Sequence, residues 1–415
     1  MSQPARKLAH SLALVALVAS VGCASVGPDE PNSSADEVAL RRLSGVRTLT
    51  ADGQIEVVPS RELARRLQLQ LQDRPLSIVA FSDGGASGAF GAGVLAGLTQ
   101  NGKRPLPSVV TGVSAGALIA PFAFLGPAWD QELTAIYRDG ACGGLLRRRL
   151  LAGVFGSSVY SGAPLRRLID RYADDAMIKA IAVESTKGRL LLVATTDFAS
   201  GEPVIWNLTS IAAQGGAEAK VLFRSVLLAS ASVPGMFPPV TIKFQASGRR
   251  HVETHVDGGV TMPFFIEPSP QDLPAPGANG APPTTVRVVI NGRLRDPPQV
   301  TRASAVSIFS RSVSAGLSHM KRATLESMQL ATTERGFSFT YAAVPSSYPL
   351  HGAFDFDPQA QRSLFEYASA CAEAGRVWTS GKDNGHPPAR QDEFRPSMQC
   401  PADDALLQRF AAVQH

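Results

Sequence analysis

Twice between Leu76 and Leu125 the chain passes from a short apolar run, through a turn of small residues, into an apolar stretch of helical length. The two segments read "LSIVAFSDGGASGAFGAGVLAGL" and "SVVTGVSAGALIAPFAFL". A strand that feeds a helix has its next strand returned beside it in the same direction, so this plan leads to a parallel sheet covered by helices. The alternation continues downstream. Strands are expected at Ser77–Ser82, Ser108–Gly112, Arg189–Asp197 and Thr284–Asn291, and helices at Ala89–Asn101, Ala115–Leu125, Trp129–Arg138, Pro164–Tyr172, Asp174–Ala182 and within Thr301–Thr332. The proline- and glycine-rich "PSPQDLPAPGANGAPP" reads as a surface loop.

The first turn, "SDGGASG", places several backbone N–H groups at a helix N-terminus, which favours an anion. Three guests compete: nucleotide phosphates, a dinucleotide pyrophosphate, and the oxyanion of acyl transfer. The turn lacks the Lys-Ser/Thr ending of a phosphate-binding loop, and no acidic residue follows about 20 positions on to hold a ribose. The oxyanion reading is left in front.

The chain has 415 residues, 44% of them hydrophobic and 18% charged, enough to bury a large core. Its formal net charge of +5 is too mild to argue nucleic acid, and two of the cations, Arg6 and Lys7, lie in a segment expected to be removed. That segment, "ARKLAHSLALVALVASVGC", has a basic start, an apolar run from Leu12 to Val21 and small residues at its end, and reads as an export signal. Its last residues resemble a bacterial lipobox, with Ser20 where Leu is usual and Cys23 as the lipid-modified first residue of the mature chain. Attachment to the outer membrane or cell envelope is the expectation, with secretion after cleavage near Ala24 as the alternative. A polar tether follows, with helices expected at Glu37–Leu43 and Arg61–Gln72. Of the other cysteines, Cys371 and Cys400 are expected to pair in an oxidising compartment, leaving Cys142 as a buried thiol.

The second turn holds Gly112-Val113-Ser114-Ala115-Gly116, the G-x-S-x-G nucleophile elbow, between an apolar strand and an apolar helix. A serine nucleophile needs a base and donors for the oxyanion. Gly84 and Gly85 are the candidate donors. Two bases remain open at this point. A triad would draw its histidine from His319, His351 or His386, whereas "HVETHVDGGVTMPFF" offers Asp257, with Gly258 and Gly259 letting the chain turn directly after the carboxylate.

In this order, "GGASG", "GVSAG" and "DGG" resemble the three motifs of the patatin-like lipid acyl hydrolases. "LLVATTDFASGEPVIWN", "SVLLASASVPGMFPPV" and "FDFDPQAQRSLFEYA" are also similar to the family pattern, so the resemblance spans roughly Leu76 to Ala374. It implies a three-layer α/β/α fold around a mostly parallel sheet. It also implies a Ser–Asp dyad of Ser114 and Asp257, and hydrolysis of phospholipid, lysophospholipid or neutral acyl esters without metal or organic cofactor. Motif glycines are Gly88, Gly112, Gly116, Gly258 and Gly259. The implied organisation is a signal at 1–22, tether and helices at 23–74, a catalytic domain at 75–378 and a tail at 379–415. Membrane lipids or other acyl esters are the expected partners, with membrane association through Cys23.

The family's usual loop is G-G-G-x-R-G. Here Asp83 takes the first glycine position and Ser87 the arginine position, so the loop gains a negative charge and lacks a cation. A non-catalytic lipid-binding lipoprotein on the same scaffold is therefore the alternative, beside a Ser-His-Asp esterase. His251 and His255 alternate with Asp257 along one strand, too few ligands for a metal site, and that face is expected to be solvent-exposed. The basic-apolar "RRRLLAGVF", Arg147 to Phe155, reads as a solvated loop or a contact with anionic lipid.

Overall fold

The computed structural model describes residues 45–71, 74–140, 158–295, 305–350, 352, 353 and 355–380. The export segment, Cys23, Cys142, Cys400, the expected helix at Glu37–Leu43, the Arg147–Phe155 cluster, His351 and His386 lie outside these residues.

Among the described residues eleven strands join in one sheet: β1 Val46–Leu49, β2 Ile55–Val58, β3 Leu76–Phe81, β4 Val109–Val113, β5 Leu190–Asp197, β6 Pro203–Asn207, β7 Val240–Ala246, β8 Arg249–Asp257, β9 Thr284–Arg293, β10 Ser338–Val344 and β11 Thr379–Ser380. The helices are α1 Ser60–Leu71, α2 Gly88–Gln100, α3 Ala115–Leu125, α4 Asp130–Tyr137, α5 Ala163–Tyr172, α6 Asp175–Ser185, α7 Leu208–Gln214, α8 Gly216–Ser230, α9 Ala305–Glu334 and α10 Pro358–Glu373.

The centre of the sheet, in the order β10, β9, β3, β4, β5, is parallel throughout. These strands are apolar runs because both of their faces are covered. On one face Ile78, Ala80, Val286, Val288 and Ile290 pack with Leu63 and Leu67 of α1 and Leu325 of α9. The alternate residues face α2 and α3. Helix α2 in turn lies against α10 so closely that a Cβ on Gly93 or Gly97 would sit 2.2 or 2.1 Å from the carbonyl oxygens of Phe365 or Ser369. The glycines of "GAFGAGVLAGL" thus serve backbone approach as well as the turn before them. The architecture is α/β, a mostly parallel sheet between helices.

Three features depart from the sequence expectation. Only helices were expected before Leu76, yet β1 pairs with β6, β2 pairs with β1, and α1 packs into the main core. Short strands of four residues carry too little pattern to be read locally. At the other end Thr379–Ser380, expected in the tail, pair with β10. Cys371 is buried in α10 and disulfide-bonded.

The third departure is the face of β8 that carries the histidines. It is buried, with His251, Glu253, His255 and Asp257 all enclosed. Arg47 of β1 reaches over it, donating to both Glu253 carboxylate oxygens at 2.5 and 3.2 Å. Its guanidinium also lies 4.9 Å from the Trp206 ring centre and 5.1 Å from that of Phe244. The indole N–H of Trp206 donates to Thr195 Oγ1 at 2.9 Å, and Thr195 Oγ1 meets His255 Nδ1 at 3.0 Å. His255 Nε2 meets Glu253 Oε2 at 3.0 Å. One tautomer of His255, neutral with its proton on Nε2, satisfies every group in this chain. Burial pushes the His255 pKa down and so favours that neutral form. Alternation along β8 is present in the sequence, but the strand that covers it lies some 200 residues earlier.

Candidate active site

Strand β4 ends at Val113, and Ser114 turns the chain into α3 with φ 54° and ψ −121°. Such a conformation costs a non-glycine residue on the order of 1–3 kcal/mol and persists only where its surroundings hold it. Two kinds of restraint do so here. A Cβ on Gly112 would lie 2.6 Å from Gly116 O, and one on Gly116 would lie 2.4 Å from Phe81 O, so the elbow closes only around glycines. The Ser114 N–H donates to Ser230 Oγ at 3.0 Å, and that hydroxyl donates to Ala194 O at 2.7 Å, tying the elbow to β5.

Register brings the second residue. Strand β5 pairs with β4 up to Val113 opposite Ala194, and its other edge is taken by β6. Beyond Ala194 the β4 edge is free, because the chain has turned away at Ser114. Strand β8 enters there antiparallel, with Asp257 opposite Thr195. The ends of β4 and β8 therefore meet on one edge of β5. Ser114 Oγ donates to Asp257 Oδ2 at 2.6 Å, and the Gly259 N–H donates to Oδ1 at 2.7 Å. The Asp257 backbone is held as well, its N–H by Ser232 O at 2.9 Å and its carbonyl by Thr196 Oγ1 at 3.0 Å.

Both side chains are buried. Burial pushes the Asp257 pKa up to about 7; the hydrogen bonds from Ser114 and Gly259 pull it down, Asp83 pushes it up, and Lys321 lowers it. A carboxylate tuned to neutrality is a far better proton acceptor than one in water, near 3.9.

The glycine loop faces this pair from the end of β3. A Cβ on Gly84 would lie 2.0 Å from Asn291 O, and one on Gly85, where φ is 56°, would lie 2.1 Å from Ala353 O, so neither position admits a side chain. The flanking amides are engaged, Asp83 N–H with Pro263 O and Ala86 N–H with Ala353 O, both at 2.8 Å. The N–H groups of Gly84 and Gly85 have no acceptor among the described residues. Ala115 adds a third donor, since the first N–H groups of a helix have no carbonyl one turn back.

Residues 79–268 match the family model of patatin-like phospholipases. That segment is patatin-like. No curated protein matches the chain. Among solved structures, VipD from Legionella pneumophila aligns over 74% of this chain and 68% of its own, at 12% identity and a TM-score of 0.31, too low a likeness to transfer detail.

Within the patatin-like segment the sequence motifs converge: "GGASG", "GVSAG" and "DGG" lie at neighbouring ends of β3, β4 and β8. The negative charge that Asp83 adds to the loop meets a cation from elsewhere in the chain. Lys321 of α9 lies 2.9 Å from Asp83 Oδ1, and both side chains are almost fully buried. His319 is exposed on the same helix, its Nδ1 3.2 Å from Arg322, and no described histidine bonds to Ser114 or Asp257. Sequence reasoning missed three supporting residues. Ser230 stands in "SVLLASASVPG" with no mark to separate it from its neighbouring serines. Asn291 braces the loop, donating from Nδ2 to Ser82 O at 2.7 Å and accepting from Gly91 N–H at 3.1 Å. A polar residue ending the apolar run "TTVRVVIN" was the available signal for it. Lys321, one of several cations on a long helix, had none.

Proposed function

We propose that this protein hydrolyses acyl esters of lipids with Ser114 as nucleophile and Asp257 as base. Ser114 Oγ attacks the ester carbonyl carbon while its proton passes to Asp257 Oδ2. The carbonyl oxygen becomes negative and is held by the N–H groups of Gly84 and Gly85, with Ala115 assisting. The tetrahedral intermediate collapses, the alcohol leaves with the proton from Asp257, and an acyl-serine remains. Water then attacks that ester, giving its proton to Asp257, and the fatty acid leaves as Ser114 recovers its hydrogen. No cofactor enters these steps.

The observation that carries the reading is the 2.6 Å hydrogen bond between two buried side chains at a strained elbow. A small apolar cavity of about 30 Å³ borders α3; it is lined by Leu118, Phe122, Ile136, Tyr137, Leu168 and Met177, among others. Leu118 is one turn from the nucleophile, its N–H bonded to Ser114 O at 3.3 Å. The non-catalytic alternative rested on Asp83 and Ser87 spoiling the loop; the pairing of Asp83 with Lys321 weakens the first ground, and the second stands.

The test is a panel of phospholipids, lysophospholipids, triglycerides and short-chain esters, with Ser114→Ala beside the wild type. Turnover of one class by the wild type alone is expected. No turnover of any class by folded protein would leave the lipid-binding reading. Attachment through Cys23 belongs to the same proposal and rests on "SVGC". Cys23→Ala should release the protein from membranes, and an unmodified mature N-terminus at Ser25 would overturn it.

A further inference from the structure

The glycine loop carries a buried acid that the reaction above does not use. Asp83 precedes Gly84 and Gly85, and its carboxylate is nearly enclosed. Its backbone cannot shift freely, since its N–H is given to Pro263 O at 2.8 Å and its carbonyl accepts from Ser82 Oγ at 2.7 Å. Lys321 Nζ reaches Asp83 Oδ1 at 2.9 Å from the middle of α9. Asp83 Oδ2 and Asp257 Oδ1 each lie 3.0 Å from the point where a Cβ on Gly259 would stand. The two carboxylates thus confront each other across a glycine, with one ammonium on the far side of Asp83.

We propose that Asp83 and Lys321 are a positioning pair that fastens the glycine loop to α9 and sets the charge that Asp257 faces during proton transfer. The inference rests on the reading of Asp257 as the base. An isolated acid in this loop would repel an ionised Asp257 and a developing oxyanion alike. An isolated lysine would stabilise the Asp257 carboxylate and make it a poorer base. Together they leave the loop near neutrality while keeping Asp257 basic.

The other charged groups around Asp257 are accounted for. On β8 itself, Glu253 and His255 are bound into the Arg47 and Thr195 chain. On β5, Asp197 accepts from Ser200 Oγ at 2.7 Å. After Asn291 in β9, Arg293 donates to the Tyr348 carbonyl. Helices α2 and α3 begin with no charged residue, and α8 contributes Ser230. Asp83 and Lys321 are the charges that bear on Asp257 directly, the first pushing its pKa up and the second pulling it down.

The signs follow. Asp83→Asn removes the repelling carboxylate and leaves Lys321, so the acidic limb of the pH profile of kcat/KM should move down by about one unit, the usual effect of a single charge at this range. Adding Lys321→Met to that variant should return the limb upward. Lys321→Met alone strands a buried carboxylate and should lower Tm, and the double variant should recover most of that loss because no unpaired charge remains. A limb that stays in place in folded Asp83→Asn, or a double variant no more stable than Lys321→Met, would overturn the proposal. If the wild type hydrolyses none of the lipid panel, the proposed reaction fails, and the Tm comparison still decides whether the pair fastens the loop.

Discussion

Ser114→Ala and Asp257→Asn are expected to lose hydrolysis to nearly the same extent, on the order of 10³–10⁶-fold in kcat, because members of one catalytic unit do not contribute additively. Asn keeps the shape of Asp257 and can still take the Gly259 N–H, but it cannot accept the proton of Ser114. Wild-type kcat/KM should rise with pH through about 7, where burial has placed the Asp257 carboxyl. Stability should move the opposite way to activity. A carboxyl whose native pKa lies above its unfolded value weakens the fold as pH rises from about 4, and fully so above about 7. Asp257→Asn is therefore expected to match or exceed the wild-type Tm at pH 8.5, with the difference shrinking by pH 5. An inactive variant that is also more stable has lost a proton acceptor rather than its fold. Single Ala substitutions at the histidines other than His255, which braces β8, should each retain most activity, and a folded histidine variant as inactive as Ser114→Ala would replace the dyad by a triad.

The largest stability loss is expected at Arg47. Arg47→Met leaves Glu253 buried without its guanidinium, and breaking an enclosed ion pair from one side costs about 3–5 kcal/mol. The cation contacts over Trp206 and Phe244 go with it. Burial works to raise the Glu253 pKa, but His255 and Arg47 hold it at about 2. A depressed carboxyl contributes stability that is present above about pH 4.5 and lost as pH falls toward 2. The gap between wild type and Arg47→Met in chemical denaturation should accordingly be full at pH 7 and narrow by pH 3. Removing both charges, as in Arg47→Met with Glu253→Leu, should recover part of the loss. An Arg47→Met protein as stable as the wild type at pH 7 would mean that water already reaches this pair.

The same substitution tests how the site is held. Glu253 and His255 precede Asp257 on one buried face of β8, and Arg47 of β1 packs on that face. A loosened β8 would misplace the base by a fraction of the 2.6 Å contact, so activity should fall with stability in Arg47→Met and return with it in the double variant. Proton transfer across a fixed hydrogen bond is sensitive to displacements of that size.

Much of this was legible in the residues themselves. The apolar runs, the small-residue turns and the helices that follow them are local consequences of side-chain size and backbone freedom. "GVSAG" marks Ser114 as an elbow serine, and "DGG" offered Asp257 as one of two candidate bases, the choice between them coming from the resemblance to patatin-like hydrolases. What local pattern did not contain was the partner of each group. Ser114 meets Asp257 across 143 residues, and Arg47 meets Glu253 across 206. Their encounter depends on β8 entering the edge that β4 vacates, a matter of strand register. Asp83 looked like a liability in the loop until α9 placed Lys321 against it, and the histidine face of β8 looked open until β1 and its arginine covered it. Covalent neighbours decide which conformation a turn adopts, so sequence alone determined the motifs and the alternating α/β plan. Burial and charge compensation depend on which distant segment arrives, and only the packed sheet decided those.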